Sequence, residues 1–126
     1  MCLLAVAFKS HPDAPLIVAS NRDEFYQRPT LPMHWWADAP ILAGRDTQAG
    51  GTWMGLSRNG RFAAVTNFRQ VIDGVIAEAK PLSRGQLITD FLSSDQSADD
   101  WADSLAATTS DYDGFNLLLY DGFNLL

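Results

Sequence analysis

Cys2 stands one residue in from the start of the chain, and its position is what makes it chemically interesting. Removal of Met1 would leave a residue carrying both a thiol and a free α-amine. Their unperturbed pKa values, about 8.5 and about 7.7–8.0, are close enough for the amine to act as base to its own thiol. No histidine is required, which suits a chain holding only His11 and His34. Cys2 also reads as a small apolar residue opening a core strand. The polar run Asn21-Arg22-Asp23-Glu24 offers the groups such a nucleophile needs. The Asp23 carboxylate is an acceptor to orient an amine, and the Arg22 guanidinium is a cation to hold thiolate charge. Glu24 adds a second acceptor and Asn21 a neutral donor. The same run also reads as a capped turn with a solvated ion pair.

Asn67 closes Val65-Thr66-Asn67-Phe68-Arg69, where a side-chain amide could donate to an oxyanion or simply end a strand as an Asx turn. Gly50-Gly51 permits a close backbone approach by a substrate, or a plain bend. Trp35, Trp36 and Trp53 suit either an apolar pocket wall or core packing, and His34 beside two of them either a metal or haem ligand or a structural ring. One cysteine cannot form an internal disulfide or a multi-thiolate zinc site, and two histidines make no dense cluster. Neither a metal nor a cofactor is expected.

The bulk numbers narrow the class of function. The chain has 126 residues, 47% hydrophobic and 19% charged, enough for one domain with a real core. A formal charge of −6 without a Lys/Arg cluster disfavours nucleic acid and anionic membrane as partners. No apolar stretch approaches the roughly 20 residues of a membrane span. The opening Met1 to Phe8 is apolar but lacks a basic flank, so it reads as a buried strand rather than a signal peptide. These features predict a soluble protein of a reducing, cytoplasmic setting, with a small molecule as its partner.

The elements that must position these residues follow from patterning. Cys2 to Lys9 and Leu16 to Ser20 predict an antiparallel hairpin around the turn Ser10–Pro15, which sets Asn21–Glu24 beside the first strand. Phe25 to Pro40, with Pro29, Pro32 and Pro40, reads as an ordered surface loop. Thr52–Ser57 and Arg61–Asn67 flank Arg58-Asn59-Gly60, and Asn-Gly supplies the positive φ of a tight hairpin turn. A helix is predicted after Pro81, capped by Ser83, with Leu87, Ile88, Phe91 and Leu92 on one face. A polar break spans Ser94 to Asp100. A second helix from about Ala98 to Ala107 turns Trp101 and Leu105 inward, with Asp99 and Asp100 at its positive end. Tyr112-Asp113-Gly114-Phe115-Asn116-Leu117-Leu118 recurs as Tyr120-Asp121-Gly122-Phe123-Asn124-Leu125-Leu126. This predicts two strands joined at Tyr120-Asp121-Gly122. The order favours an α+β fold, an antiparallel sheet with helices on one face, as half of a sheet-on-sheet sandwich.

Six motifs in this order resemble the NRDE family, also called the transport and Golgi organisation family. They are Met1-Cys2, Asn21-Arg22-Asp23-Glu24, Gly50-Gly51-Thr52-Trp53-Met54-Gly55, Gly60 to Arg69, Ser83-Arg84-Gly85 and Gly114 to Leu118. The resemblance implies the αββα N-terminal-nucleophile sandwich shared with choloylglycine hydrolases and penicillin V acylases. It further implies Cys2 as nucleophile, Arg22 and Asp23 as its partners and Asn67 as the oxyanion amide. Asn21, Glu24, Gly51, Thr52 and Trp53 are then expected to contact a small amide or ester. A non-catalytic haem- or lipid-binding role is the alternative the family implies. Because the family is roughly twice this length, the chain is expected to be the amino-terminal half of a single domain. Residues 1–126 would then expose apolar sheet and self-associate.

Overall fold

The computed structural model describes residues 2–68, 71, 72, 75, 76 and 79–126. Apolar residues at nearly every position of the opening segment form strand β1 (Leu4–His11), which pairs antiparallel with β2 (Ala14–Ser20). The register runs from Leu4 opposite Ser20 to Phe8 opposite Leu16, then slips near Lys9, whose φ is 52°. The strands reach further into the turn than expected, with His11 opposite Ala14.

Five more strands form the main sheet: β3 (Thr30–Trp35), β4 (Ile41–Asp46), β5 (Met54–Ser57), β6 (Phe62–Asn67) and β9 (Phe115–Tyr120). They lie in the order β3-β4-β5-β6-β9, each antiparallel to its neighbour. Two short strands, β7 (Val71–Ile72) and β8 (Val75–Ile76), pair with each other. The β5–β6 turn has Gly60 at φ 80°, as its Asn-Gly sequence predicts.

Strand alternation gives this sheet two apolar faces. Ala63, Val65 and Leu119 face helix α1 (Arg84–Ser93), which buries Leu87, Ile88, Phe91 and Leu92 against them. Helix α2 (Ala98–Leu105) adds Trp101, edge-on to Phe91 with ring centroids 5.5 Å apart. Phe62, Ala64 and Tyr120 point the other way, where the β1–β2 hairpin covers them with Leu4, Phe8, Leu16 and Val18. The chain is therefore α+β, with helices, a five-stranded sheet and a two-stranded sheet in successive layers.

Three local expectations change. Phe25–Pro40 is not wholly irregular, because Thr30–Trp35 forms edge strand β3. Pro32 is accommodated where the register with β4 shifts between Leu31 and His34, so its missing N–H costs no ladder bond there. Ser83 occupies the N-cap of α1, but its side chain makes no capping bond, whereas the Ser97 hydroxyl accepts from Asp100 N–H to cap α2. The two tail repeats adopt different conformations. The first enters β9, while the second is a turn in which Asp121 Oδ1 accepts the Phe123 and Asn124 N–H groups at 2.9 and 2.8 Å. Only Leu125 and Leu126 return along β9, Leu126 exchanging backbone bonds with Leu119.

Candidate functional site

The residue after Cys2 is tied to the turn that follows β2. Asn21 Oδ1 accepts the Leu3 N–H at 2.7 Å. The Asn21 N–H and the Ser20 hydroxyl both donate to the Leu3 carbonyl, at 3.2 and 2.9 Å. That anchoring seats the Cys2 sulfur on the next peptide of the turn. The Asp23 N–H donates to Sγ at 3.3 Å, and the thiol lies 3.9 Å from the Asp23 carbonyl. Asn21 thus uses its oxygen to fasten the start of β1, a role that adjacent charges in the sequence did not reveal. Met1 and Arg69 lie outside the described residues.

Arg22 places its guanidinium over the Trp53 ring, 4.5 Å from the centroid. The Trp53 carbonyl in turn accepts the Val65 N–H at 2.9 Å, fixing the residue to the sheet. Its indole edge packs so closely on Gly44 that a Cβ there would approach the ring at 2.8 Å.

Beyond Trp53 opens a cavity of about 450 Å³ at one end of the main sheet. Glu24, Gly51, Thr52, Trp53 and Asn67 line it, as do Arg28, Asp46, Lys80 and Arg84. Cys2, Arg22 and Asp23 are not in its wall, so the expected site residues fall into two groups that meet at the Arg22–Trp53 contact. Asn67 ends β6 opposite Phe115, and among the described residues its amide has no hydrogen-bond partner. Thr52 is buried, and its hydroxyl donates to the Met54 carbonyl at 3.1 Å.

An ion pair anchors one side of the cavity. Arg28 Nε donates to Asp46 Oδ2 at 2.6 Å, while Glu24 Oε2 lies 3.9 Å from Arg28 Nη1. Burial works to raise the Asp46 carboxyl, but the Ala49 N–H, the Arg28 side chain and the Gln48 N–H outweigh it. Asp46 is therefore held below the ordinary carboxylate range. On the other side, Arg84 Nη1 donates to the Gly114 carbonyl at 3.1 Å and the Lys80 N–H to Asp113 Oδ1 at 3.1 Å. Arg28, Asp46 and Lys80 escaped the sequence reading because no motif marks them. Arg84 was visible only as part of Ser83-Arg84-Gly85.

The remaining candidates resolve structurally. Gly51 meets Gly85 backbone to backbone, since a Cβ on Gly51 would lie 2.6 Å from the Gly85 carbonyl carbon. The two glycine motifs thus dock the start of α1 onto the loop before β5. Trp36 is buried and Arg45 stacks on it, Trp35 carries Arg58, and neither lines the cavity. His34 Nδ1 contacts its own strand at the Pro32 carbonyl, 2.8 Å away. Among the described residues no three His, Cys, Asp or Glu side chains converge as a metal site, and no helix is long and apolar enough to cross a membrane.

The family model for Transport and Golgi organisation 2 matches residues 1–125. The Transport and Golgi organization 2 homolog of Mus musculus is 36% identical over 129 residues, covering 96% of this chain and 45% of the mouse protein. The Homo sapiens homolog is 36% identical with the same coverage. Transport and Golgi organization protein 2 of Drosophila melanogaster is 29% identical, covering 94% of this chain and 45% of its own length. This chain therefore spans about half the length of these relatives.

Proposed function

The chain belongs to the Transport and Golgi organisation 2 family, and on that premise we propose that Cys2, freed by removal of Met1, is the nucleophile of an amide- or ester-cleaving site. The observation that carries this reading is the Asp23 N–H donated to Cys2 Sγ at 3.3 Å. It seats the sulfur in the Asn21–Glu24 turn, whose residues include Arg22 and Asp23, and a backbone donor is a contact that a thiolate accepts as well as a thiol.

In this mechanism the α-amine of Cys2 takes the thiol proton. The sulfur then forms a C–S bond to the substrate carbonyl carbon. Asp23 orients the amine, and Arg22 offsets the thiolate charge. Asn67 with a backbone N–H holds the oxyanion, so the reacting carbonyl lies between the Cys2 turn and the cavity wall. Collapse breaks the C–N or C–O bond, and the leaving group receives the proton from the amine. Water then cleaves the thioester and restores the thiol. The reading places the chain in a reducing compartment, where its single thiol persists. The test combines intact mass with turnover of a small p-nitroanilide or p-nitrophenyl ester. We expect a chain beginning at Cys2 whose turnover is lost in Cys2→Ala. Full retention of Met1 on active protein would sink the proposal.

A second reading, binding of haem or a lipid without cleavage, draws on another cavity of about 400 Å³ across Trp53. Leu31, Pro32, Met33, Gly44 and Met54 line it. This reading expects ligand binding that survives Cys2→Ala. A haem titration with no Soret shift would remove its haem version.

A further inference from the structure

We propose that Trp53 is a positioning residue that sets the reactivity of Cys2 by holding the Arg22 guanidinium, so that the cavity wall and the nucleophile are linked through one ring. The inference rests on the reading of Arg22 as the cation that offsets charge on Cys2.

Arg22 is placed by a ring face, with its guanidinium 4.5 Å from the Trp53 centroid. A cation over an indole face keeps its full charge and leaves its N–H groups free to point elsewhere, unlike a bidentate carboxylate pair such as Arg45 with Asp38. Arg22 is also adjacent in sequence to Asp23, whose N–H reaches the Cys2 sulfur at 3.3 Å.

A platform is useful only if it is itself fixed, and Trp53 is held two ways. Its carbonyl accepts the Val65 N–H at 2.9 Å, tying it to β6. Its ring edge rests on Gly44 of β4, where only a residue without a side chain fits, the Cβ clearance being 2.8 Å. It stands between two cavities, one charged and one lined by Leu31, Met33 and Met54, so a ligand in either lies against the ring that carries Arg22. Occupancy of a cavity and reactivity of Cys2 are thus coupled through a single side chain.

Cys2 is the only cysteine, so thiol alkylation reports on it alone. The experiment measures the pH profile of iodoacetamide alkylation for the full chain and for Arg22→Met, Trp53→Leu, Trp53→Phe and the Arg22→Met/Trp53→Leu double variant. Far-UV circular dichroism checks each fold. Trp53→Leu is expected to move the profile to higher pH as Arg22→Met does, with rates near neutral pH falling roughly threefold or more. Trp53→Phe, which keeps an aromatic face, restores most of the rate even if Trp53→Leu folds poorly. The double variant should match Arg22→Met alone, because both changes remove one interaction. A shift with Arg22→Met but none with either Trp53 variant overturns the positioning role and leaves the reading of Arg22 standing. No shift with Arg22→Met overturns that reading, and the inference with it.

Discussion

Cys2 is held by what its neighbours do. The Asn21 carboxamide oxygen takes the Leu3 N–H at 2.7 Å, and two donors converge on the Leu3 carbonyl. Asn21→Ala should cost about 0.5–1.5 kcal/mol, since water can replace the lost acceptor at this exposed strand end. It should also loosen Cys2, read as faster exchange of the Asp23 amide with deuterium. Asp46 gives a prediction in pH. Its folded pKa lies below the unfolded value of 3.8, so the unfolded chain binds more protons. The stability it contributes is present above that value and lost as pH falls through the folded pKa. Urea melts between about pH 5 and pH 3 should therefore show a decline that flattens in Asp46→Asn. At neutral pH that variant should be less stable by about 1–3 kcal/mol, because Arg28 loses its charged partner. The nearness of Cys2 to its turn was legible because the β1–β2 hairpin sets Asn21–Glu24 beside the start of the first strand. The Arg28–Asp46 pair, 18 residues apart in sequence, was not, because only the β3–β4 pairing brings it together.

At the scale of elements, α1 was readable from Leu87, Ile88, Phe91 and Leu92, whose spacing alone defines a face, and all four are buried. Phe91→Ala should be among the most damaging changes, about 3–5 kcal/mol by thermal or urea melts, since it empties the contact with Trp101. Strands β3 and β4 were not readable. Pro32 masks the first as a loop, and the edge position that tolerates it is a tertiary fact. The tail repeat shows the same limit, since nearly identical segments differ once one has β6 to pair with and the other has a turn to close. Gly51 and Gly85 form a joint between elements. Gly51→Ala should cost about 1–3 kcal/mol, because its methyl would meet backbone that cannot rotate away. Gly114→Ala faces the Phe68 ring instead and should cost less, the ring being free to shift. Equal costs would contradict this account of the two contacts.

For the molecule as a whole, the layers put Cys2 at the end of a two-stranded sheet and the cavity on the five-stranded one, with the Arg22–Trp53 contact joining the two groups of residues. The outer sheet leaves Leu3 and Ile17 exposed at 68% and 47%, and neither faces a covering layer among the described residues. We therefore expect the 126-residue chain to self-associate with rising concentration, as read by light scattering. Ile17→Lys should shift it towards monomer. The α+β class was legible because the order of strands and helices along the chain announces an antiparallel sheet with helices packed on it. Which residues share a wall was settled only by the packing of that sheet. Whether Cys2 acts as an acyl-accepting nucleophile is read by time-resolved intact mass during turnover of a p-nitrophenyl ester. One acyl group is expected on a chain beginning at Cys2, mapped to its sulfur, appearing in a burst and lost to water. A chain that keeps Met1 and takes up no acyl group at Cys2 would contradict it.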